Sequence, residues 1–371
     1  MVQGMQARSP LRVLAFLIAA CACIADDYVS GRGVYRGELG ARLNAYMEAA
    51  EKDGYSGSIL VERGKQVVIA AGYGWADREK QRRFTQDTIF DIGSITKQFT
   101  AAAIMKLKEA GKLDVHDPMG KYIPGVPADK QSITLHHLLT HTSGMKDIFG
   151  GDFDRSSREQ FLGRALSSEL RRPPGTRYAY SNAGYSLLGV VIEEVSGQSY
   201  EQFLRETLFK PGGMDHTGYV LPQWDRDSVV HLYQKGKDWG SPLEKPWLPD
   251  GPGWNLRCNG GILSTLEDMR KWHHALLRDT VLARESKDAM FTPYVPESER
   301  GQSHYGYGWS IRTTTRGTHL ITHNGGNGVF ETDVRRYVDE NTLVIMTASV
   351  AEKPLVPCER GALEILFPDA K

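Results

Sequence analysis

The sequence predicts an α+β fold: an antiparallel sheet drawn from both ends of the chain, flanked by N- and C-terminal helices, with a mostly helical portion inserted between. Three observations carry this expectation. Alternating, strand-like runs occur at 57–61 and 67–71 and return between 305 and 348. The stretch from 94 to about 272 is mostly helical in its apolar spacing, interrupted by Pro/Gly-rich connections such as Pro173-Pro174-Gly175. The 371 residues, 40% hydrophobic and 24% charged, suffice to bury a large core.

Arg8 and Arg12 precede a short apolar run at 13–20, followed by small residues and Asp26-Asp27. This is a signal-peptide pattern over 1–25, too short to span a bilayer as a mature helix. Cys23-Ile24-Ala25 resembles a small-x-small cleavage site. Ile18-Ala19-Ala20-Cys21 resembles a lipobox, in which a lipidated Cys21 would attach the chain to a membrane. Either route makes the protein exported, periplasmic or secreted.

After the leader, 43–50 has helical spacing. The strands 57–61 and 67–71 are joined by a turn carrying Gly64, as in a hairpin. Thr265-Leu266-Glu267-Asp268 reads as a capped helix start leading into Met269 and Trp272. The runs 305–315, 318–323, 330–337 and 342–348 read as successive strands, and 359–367 as a closing helix. The sheet portion is thus expected at about 40–90 and 300–368 and the helical portion at about 91–299.

Charge and cysteine content narrow the function. With 45 basic and 45 acidic residues and no Lys/Arg-rich block, the chain has no footprint for nucleic acid. Beyond the leader, Cys258 and Cys358 form either a disulfide or two buried thiols. His137 and His141, like His319 and His323, are four apart. Neither pair has an HExxH-type glutamate, so no metal and no cofactor is expected.

The chemistry concentrates in three ordered motifs. Ser94-Ile95-Thr96-Lys97 opens the apolar stretch 99–107, placing a hydroxyl and an amine one turn apart. Burial of that stretch lowers the lysine pKa and frees a neutral amine as a base. Tyr180-Ser181-Asn182 offers a phenol for proton relay and an amide to hold lysine or substrate. His323-Asn324-Gly325-Gly326 ends a strand with two glycines, where backbone approaches ligand closely. There the Gly326 N–H could join that of Ser94 as an oxyanion hole. Two decoys fail. Ser143-Gly144-Met145-Lys146 lies in a loop with no apolar helix behind it, and His216-Thr217-Gly218 lacks flanking strands.

The ordered set resembles the serine β-lactamase and penicillin-binding-protein superfamily, in its class C-like branch, over about 40–368. Phe90-Asp91-Ile92-Gly93, the stretch LLTHTSGM at 138–145, GGILSTLED at 260–268 and Tyr307-Gly308-Trp309 reinforce it. The resemblance implies a β-lactamase/transpeptidase-like fold and an acyl-enzyme on Ser94. Lys97 and Tyr180 would share the proton transfers, while Asn182, His323, Gly325 and Gly326 would face a small-molecule or peptide substrate. The third motif departs from Lys-Thr-Gly followed by Ser or Thr: Asn324 and Gly326 lack two hydroxyls that in the family grip a carboxylate. That argues against a dedicated β-lactamase and leaves DD-carboxypeptidase-like or esterase-like hydrolysis, with weak β-lactamase activity, open. His323 is expected to titrate near pH 6–7. The alternative function is a catalytically inactive penicillin-binding sensor or scaffold of the same fold. Oligomeric state is not written in the sequence.

Overall fold

Alternation in the strand sequences fixes where the sheet must bury its two faces. Ile59 and Val61 point one way and Leu60 the other; Val344 and Met346 oppose Leu343 and Ile345, and all are buried. The computed structural model describes residues 28–349 and 353–368, so the leader expected at 1–25, with Cys21 and Cys23, lies outside the described residues.

Ten antiparallel strands form one sheet. From one edge to the other they run Tyr28–Ser30, Gly33–Tyr35, Gln66–Tyr73, Gly57–Arg63, Thr342–Ala348, Glu331–Tyr337, His319–Gly326, Ser310–Thr313, Ser303–Tyr305 and Val295–Pro296. The two ends of the chain meet at the sheet centre, where Ile345 pairs with Leu60 and Val344 with Val61. The helices Gly37–Lys52 and Leu355–Leu366 cover one face through Leu43, Met47, Ala362 and Leu366. The other face, with Leu60, Leu343 and Ile345, packs on a larger core centred on Phe99 and Trp272. Those two rings lie 5.0 Å apart.

The Thr96–Glu109 helix is buried on nearly every side from Thr96 to Met105, as its all-round apolar character demands. Asn182–Ser196 packs beside it, started by the Ser181 hydroxyl on the Gly184 N–H and stopped by Gly197 in the left-handed conformation at φ 70°. Leu266–Leu277 begins at the expected cap, Thr265, which accepts from the Asp268 N–H at 3.2 Å.

Four expectations need correction. Ser94 is not in the α-helix but in a 3-10 turn, Gly93–Ile95, stacked on it, because Gly93 takes φ 50° and donates to Asp91 Oδ1. The strand expected at 305–315 is broken into Ser303–Tyr305 and Ser310–Thr313. Its glycines pack too close to neighbouring backbone for a side chain: a Cβ on Gly308 would lie 2.7 Å from the Lys97 carbonyl oxygen. The closing helix starts four residues early, at Leu355 after Pro354, whose fixed φ suits a helix entry. The region 94–272 also contains a small hairpin, Leu232–Gln234 with Lys237–Gly240. Cys258 and Cys358 are both buried free thiols, in separate clusters on opposite faces of the sheet, so the thiol alternative holds.

The end of the His319–Gly326 strand lies against the Ser94 turn. A Cβ on Gly325 would sit 2.1 Å from the Ile92 carbonyl oxygen and 2.7 Å from Ser94 N. Gly325→Ala should therefore push strand and turn apart, destabilising the protein by about 2 kcal/mol or more in urea unfolding. Gly163→Ala, in an open helical position, is the control and should stabilise by about 0.5–1 kcal/mol. Equal effects of the two changes would refute the close-packing argument.

Candidate active site

Lys97 is fully buried, and its amine meets three oxygens. Nζ lies 3.0 Å from Ser94 Oγ, 2.7 Å from Asn182 Oδ1 and 2.8 Å from the Asn259 carbonyl. Ser94 in the 3-10 turn and Lys97 in the first turn of the helix that continues it are three residues apart, which puts the two side chains on one face. Asn182 and Asn259 present carbonyl oxygens, which only accept. A neutral amine has two N–H groups and one lone pair, so those two oxygens take both N–H groups and leave the lone pair for the Ser94 hydroxyl. Burial drives the Lys97 pKa from 10.5 down to about 7, against an opposing pull from Asp147 and Asp152.

Each acceptor is itself held. Asn259 is buried, and its amide donates to Ser186 Oγ and to the Asn255 carbonyl, both at 2.9 Å. Asn182 opens its helix, and its N–H donates to Asp147 Oδ1 at 2.8 Å. Sequence reading missed Asn259 because a main-chain acceptor carries no side-chain signature. Its position directly before the 260–268 stretch was the available hint.

Tyr180 lies over the same amine, with Lys97 Nζ 4.8 Å from its ring centre. Burial pushes its phenol above the usual value, and hydrogen bonding from Ser94 opposes this. Ser94 and Tyr180 line a cleft of about 590 Å³, with Glu297, Arg312 and the run from His323 to Gly326 on its walls. Gly93 and Gly326 close the turn: a Cβ on Gly93 would lie 2.6 Å from Gly326 N. The backbone of residue 326 thus runs directly beside the residue preceding Ser94.

His323 corrects the sequence expectation. It is buried, and its pKa is lowered to about 3 by desolvation and by the positive charges of Lys97 and Arg312. Nδ1 lies 2.7 Å from the Asn324 carbonyl, which only accepts, so the ring proton is there. Nε2 then accepts from the Tyr305 hydroxyl at 2.9 Å. The ring is neutral, with both nitrogens occupied, and does not titrate at pH 6–7. The cation beside it is Arg312, which is exposed, donates to Ser310 Oγ at 3.1 Å and forms no ion pair among the described residues. Glu297 accepts from Ser310 Oγ at 2.5 Å and from the Tyr178 hydroxyl at 3.5 Å.

The decoys supply no second nucleophile, although the Lys146 carbonyl accepts from the Ser181 hydroxyl at 3.0 Å. Ser143 is buried and accepts from the Met145 N–H, while Lys146 is exposed. His216 donates its N–H to Asp268 beside the Leu266–Leu277 helix.

Comparison with known proteins agrees with the geometry. The chain matches the Beta-lactamase family over residues 43–365. It is 28% identical over 321 residues to penicillin-binding protein 4* of Bacillus subtilis (strain 168), covering 81% of this chain and 70% of that one. The octameric penicillin-binding protein homologue from Pyrococcus abyssi superposes with a TM-score of 0.76 at 30% identity, over 88% of this chain and 77% of that one. A penicillin-binding protein from Bacillus halodurans gives 0.75 at 30% identity, over 88% of this chain and all of that one (100%). The chain belongs to the beta-lactamase family, within the superfamily of serine hydrolases that includes the penicillin-binding proteins.

Proposed function

We propose that this protein is an exported hydrolase that forms an acyl-enzyme on Ser94 with peptide, ester or lactam carbonyls, favouring DD-carboxypeptidase-like or esterase-like substrates. The observation that carries this is the Lys97 amine, whose two N–H groups are engaged by Asn182 and Asn259 while its third direction meets Ser94 Oγ at 3.0 Å.

In this reading the Ser94 Oγ–H proton passes to Lys97 Nζ as the Oγ–C bond forms. The carbonyl oxygen becomes an oxyanion at the backbone N–H groups of Ser94 and Gly326. Tyr180, held as a neutral phenol, hands a proton to the leaving amine or alcohol as the old bond breaks, and its own is restored from Lys97. Water then attacks the ester carbon, losing a proton to the Lys97 amine, and the Oγ–C bond breaks as a proton returns to Ser94 Oγ, releasing the acid and the free serine. The two pKa values are pushed apart, which separates the base from the proton donor. A substrate carboxylate meets Arg312, since His323 has no free N–H to offer.

Export rests on the leader at 1–25. No described helix is long and apolar enough to cross a membrane, and a lipidated Cys21 would supply attachment. Penicillin binding, for which the relatives are named, extends in this reading to the present protein.

Intact mass after incubation with benzylpenicillin should show one covalent adduct, absent in Ser94→Ala. No adduct together with no turnover of p-nitrophenyl esters would favour the inactive scaffold. A stable adduct without any turnover would favour the sensor.

Lys97 must be unprotonated to act as base, and protonation is lost as pH rises through its pKa. Acylation should accordingly climb between pH 6 and 8 with a midpoint of about 7. In His323→Gln that limb should keep its midpoint, because the native ring is already neutral there. Loss of the limb in His323→Gln would assign it to the imidazole instead.

A further inference from the structure

His141 belongs to neither the nucleophile nor the proton-transfer set, yet it holds the segment carrying Tyr180 from both sides. Its carbonyl accepts from the Ala179 N–H at 2.8 Å, and its ring Nδ1 accepts from the Ser181 N–H at 3.0 Å. The residues before and after Tyr180 are therefore both tied to this one histidine. Its ring also lies against that of Tyr180, with centres 4.3 Å apart and planes inclined by 36°. From this geometry we infer that His141 is a positioning residue for Tyr180, fixing the phenol relative to Ser94 and Lys97. The inference rests on the proposed role of Tyr180 in proton transfer.

The backbone at His141 indicates that this placement is enforced. Its φ is 58°, in the left-handed region that few non-glycine residues enter, although His does so more readily than most. Strain of this kind persists where the surroundings over-determine it. Here the turn that ends the Leu135–Leu139 helix is tied back by the Thr142 N–H on the His137 carbonyl, and the Gly175 N–H bonds the Thr142 carbonyl.

The ring is chemically committed as well. Because Nδ1 accepts, the proton of the neutral imidazole is on Nε2. That atom is buried with no hydrogen-bond partner. It belongs to a ring packed among those of Tyr185 at 5.0 Å and Tyr305 at 4.6 Å. Burial holds the pKa well below the usual histidine value. An uncharged ring that has lost one polar contact is a costly way to fill space. It is a reasonable way to hold an adjacent backbone N–H and an aromatic face together. Tyr305 links the same aromatic group to His323 through its hydroxyl, so the wall behind Tyr180 is continuous with the opposite side of the cleft.

Two substitutions separate the contacts. His141→Asn retains an acceptor near Nδ1 on a residue that tolerates the left-handed region, and removes the ring packed on Tyr180. His141→Phe retains a ring and removes the acceptor, leaving the Ser181 N–H unpaired. Acylation by benzylpenicillin is measured as a single-turnover rate, in the wild-type and Tyr180→Phe backgrounds, after thermal melting confirms each variant is folded. Each His141 change should slow acylation about 100-fold, the scale of a small misplacement at a reacting group. The midpoint near pH 7 should stay in place. In the Tyr180→Phe background, the same His141→Asn change should cost less than about threefold, since the hydroxyl it positions is gone. A full 100-fold loss there as well, or a wild-type rate in His141→Asn, would overturn the inference. A wild-type rate in Tyr180→Phe alone would instead overturn the proposed role of Tyr180. Should His141→Phe fail to fold, His141→Asn decides the matter alone.

Discussion

A single buried amine sets the terms for the rest of the cleft. Lys97 Nζ is out of water, with two of its three directions filled by carbonyl oxygens that can only accept. In bulk solvent such an amine would carry a proton at neutral pH. In this site the desolvation cost of the charge outweighs the pull of Asp147 and Asp152, and the amine is poised near pH 7. The lone pair then has one place to go, the Ser94 hydroxyl. In the proposed mechanism, reactivity at Ser94 follows from where its neighbour is buried rather than from any property of serine.

Keeping the amine buried requires the sheet and the helical layer to meet without a gap. The chain achieves this with backbone instead of side chains. Gly325 lets the His319–Gly326 strand lie on the Ile92–Ser94 turn, and Gly308 lets the chain before Trp309 lie on the first turn of the Thr96–Glu109 helix. Both contacts are shorter than a Cβ permits. The loop through Asn259 closes the third side, and its own amide is held by Ser186 and Asn255. Supports of this kind keep reacting groups within the narrow tolerance that catalysis needs.

Much of this was legible in the sequence, and the parts that were not have physical reasons. The strands at 57–63 and 342–348 and the helix entered at Thr265 follow from alternation and capping, both local rules. The three motifs carry side chains with evident chemistry, and the fold brings Ser94, Lys97, Tyr180 and Asn182 together. Asn259 acts through a carbonyl that every residue possesses, so spacing alone gives it no mark. The state of His323 depends first on its burial, and its Nε2 is taken by Tyr305, eighteen residues earlier in sequence and reached only by strand pairing. Its isolated pKa therefore misled. Likewise the broken strand around Gly306 and Gly308 reflects contact with distant backbone, which periodicity does not register.

The central claim is that burial brings the Lys97 amine to titrate near neutral pH, so that a substantial share of it is the free base there, and it is open to direct observation. With lysine ¹³C-labelled at Cε, the Lys97 resonance, assigned by its loss in Lys97→Arg, can be followed by NMR from pH 5 to 11. A midpoint of about 7 is the expected result. A midpoint near 10.5, the value of an unperturbed lysine, would contradict it and remove Lys97 as the base.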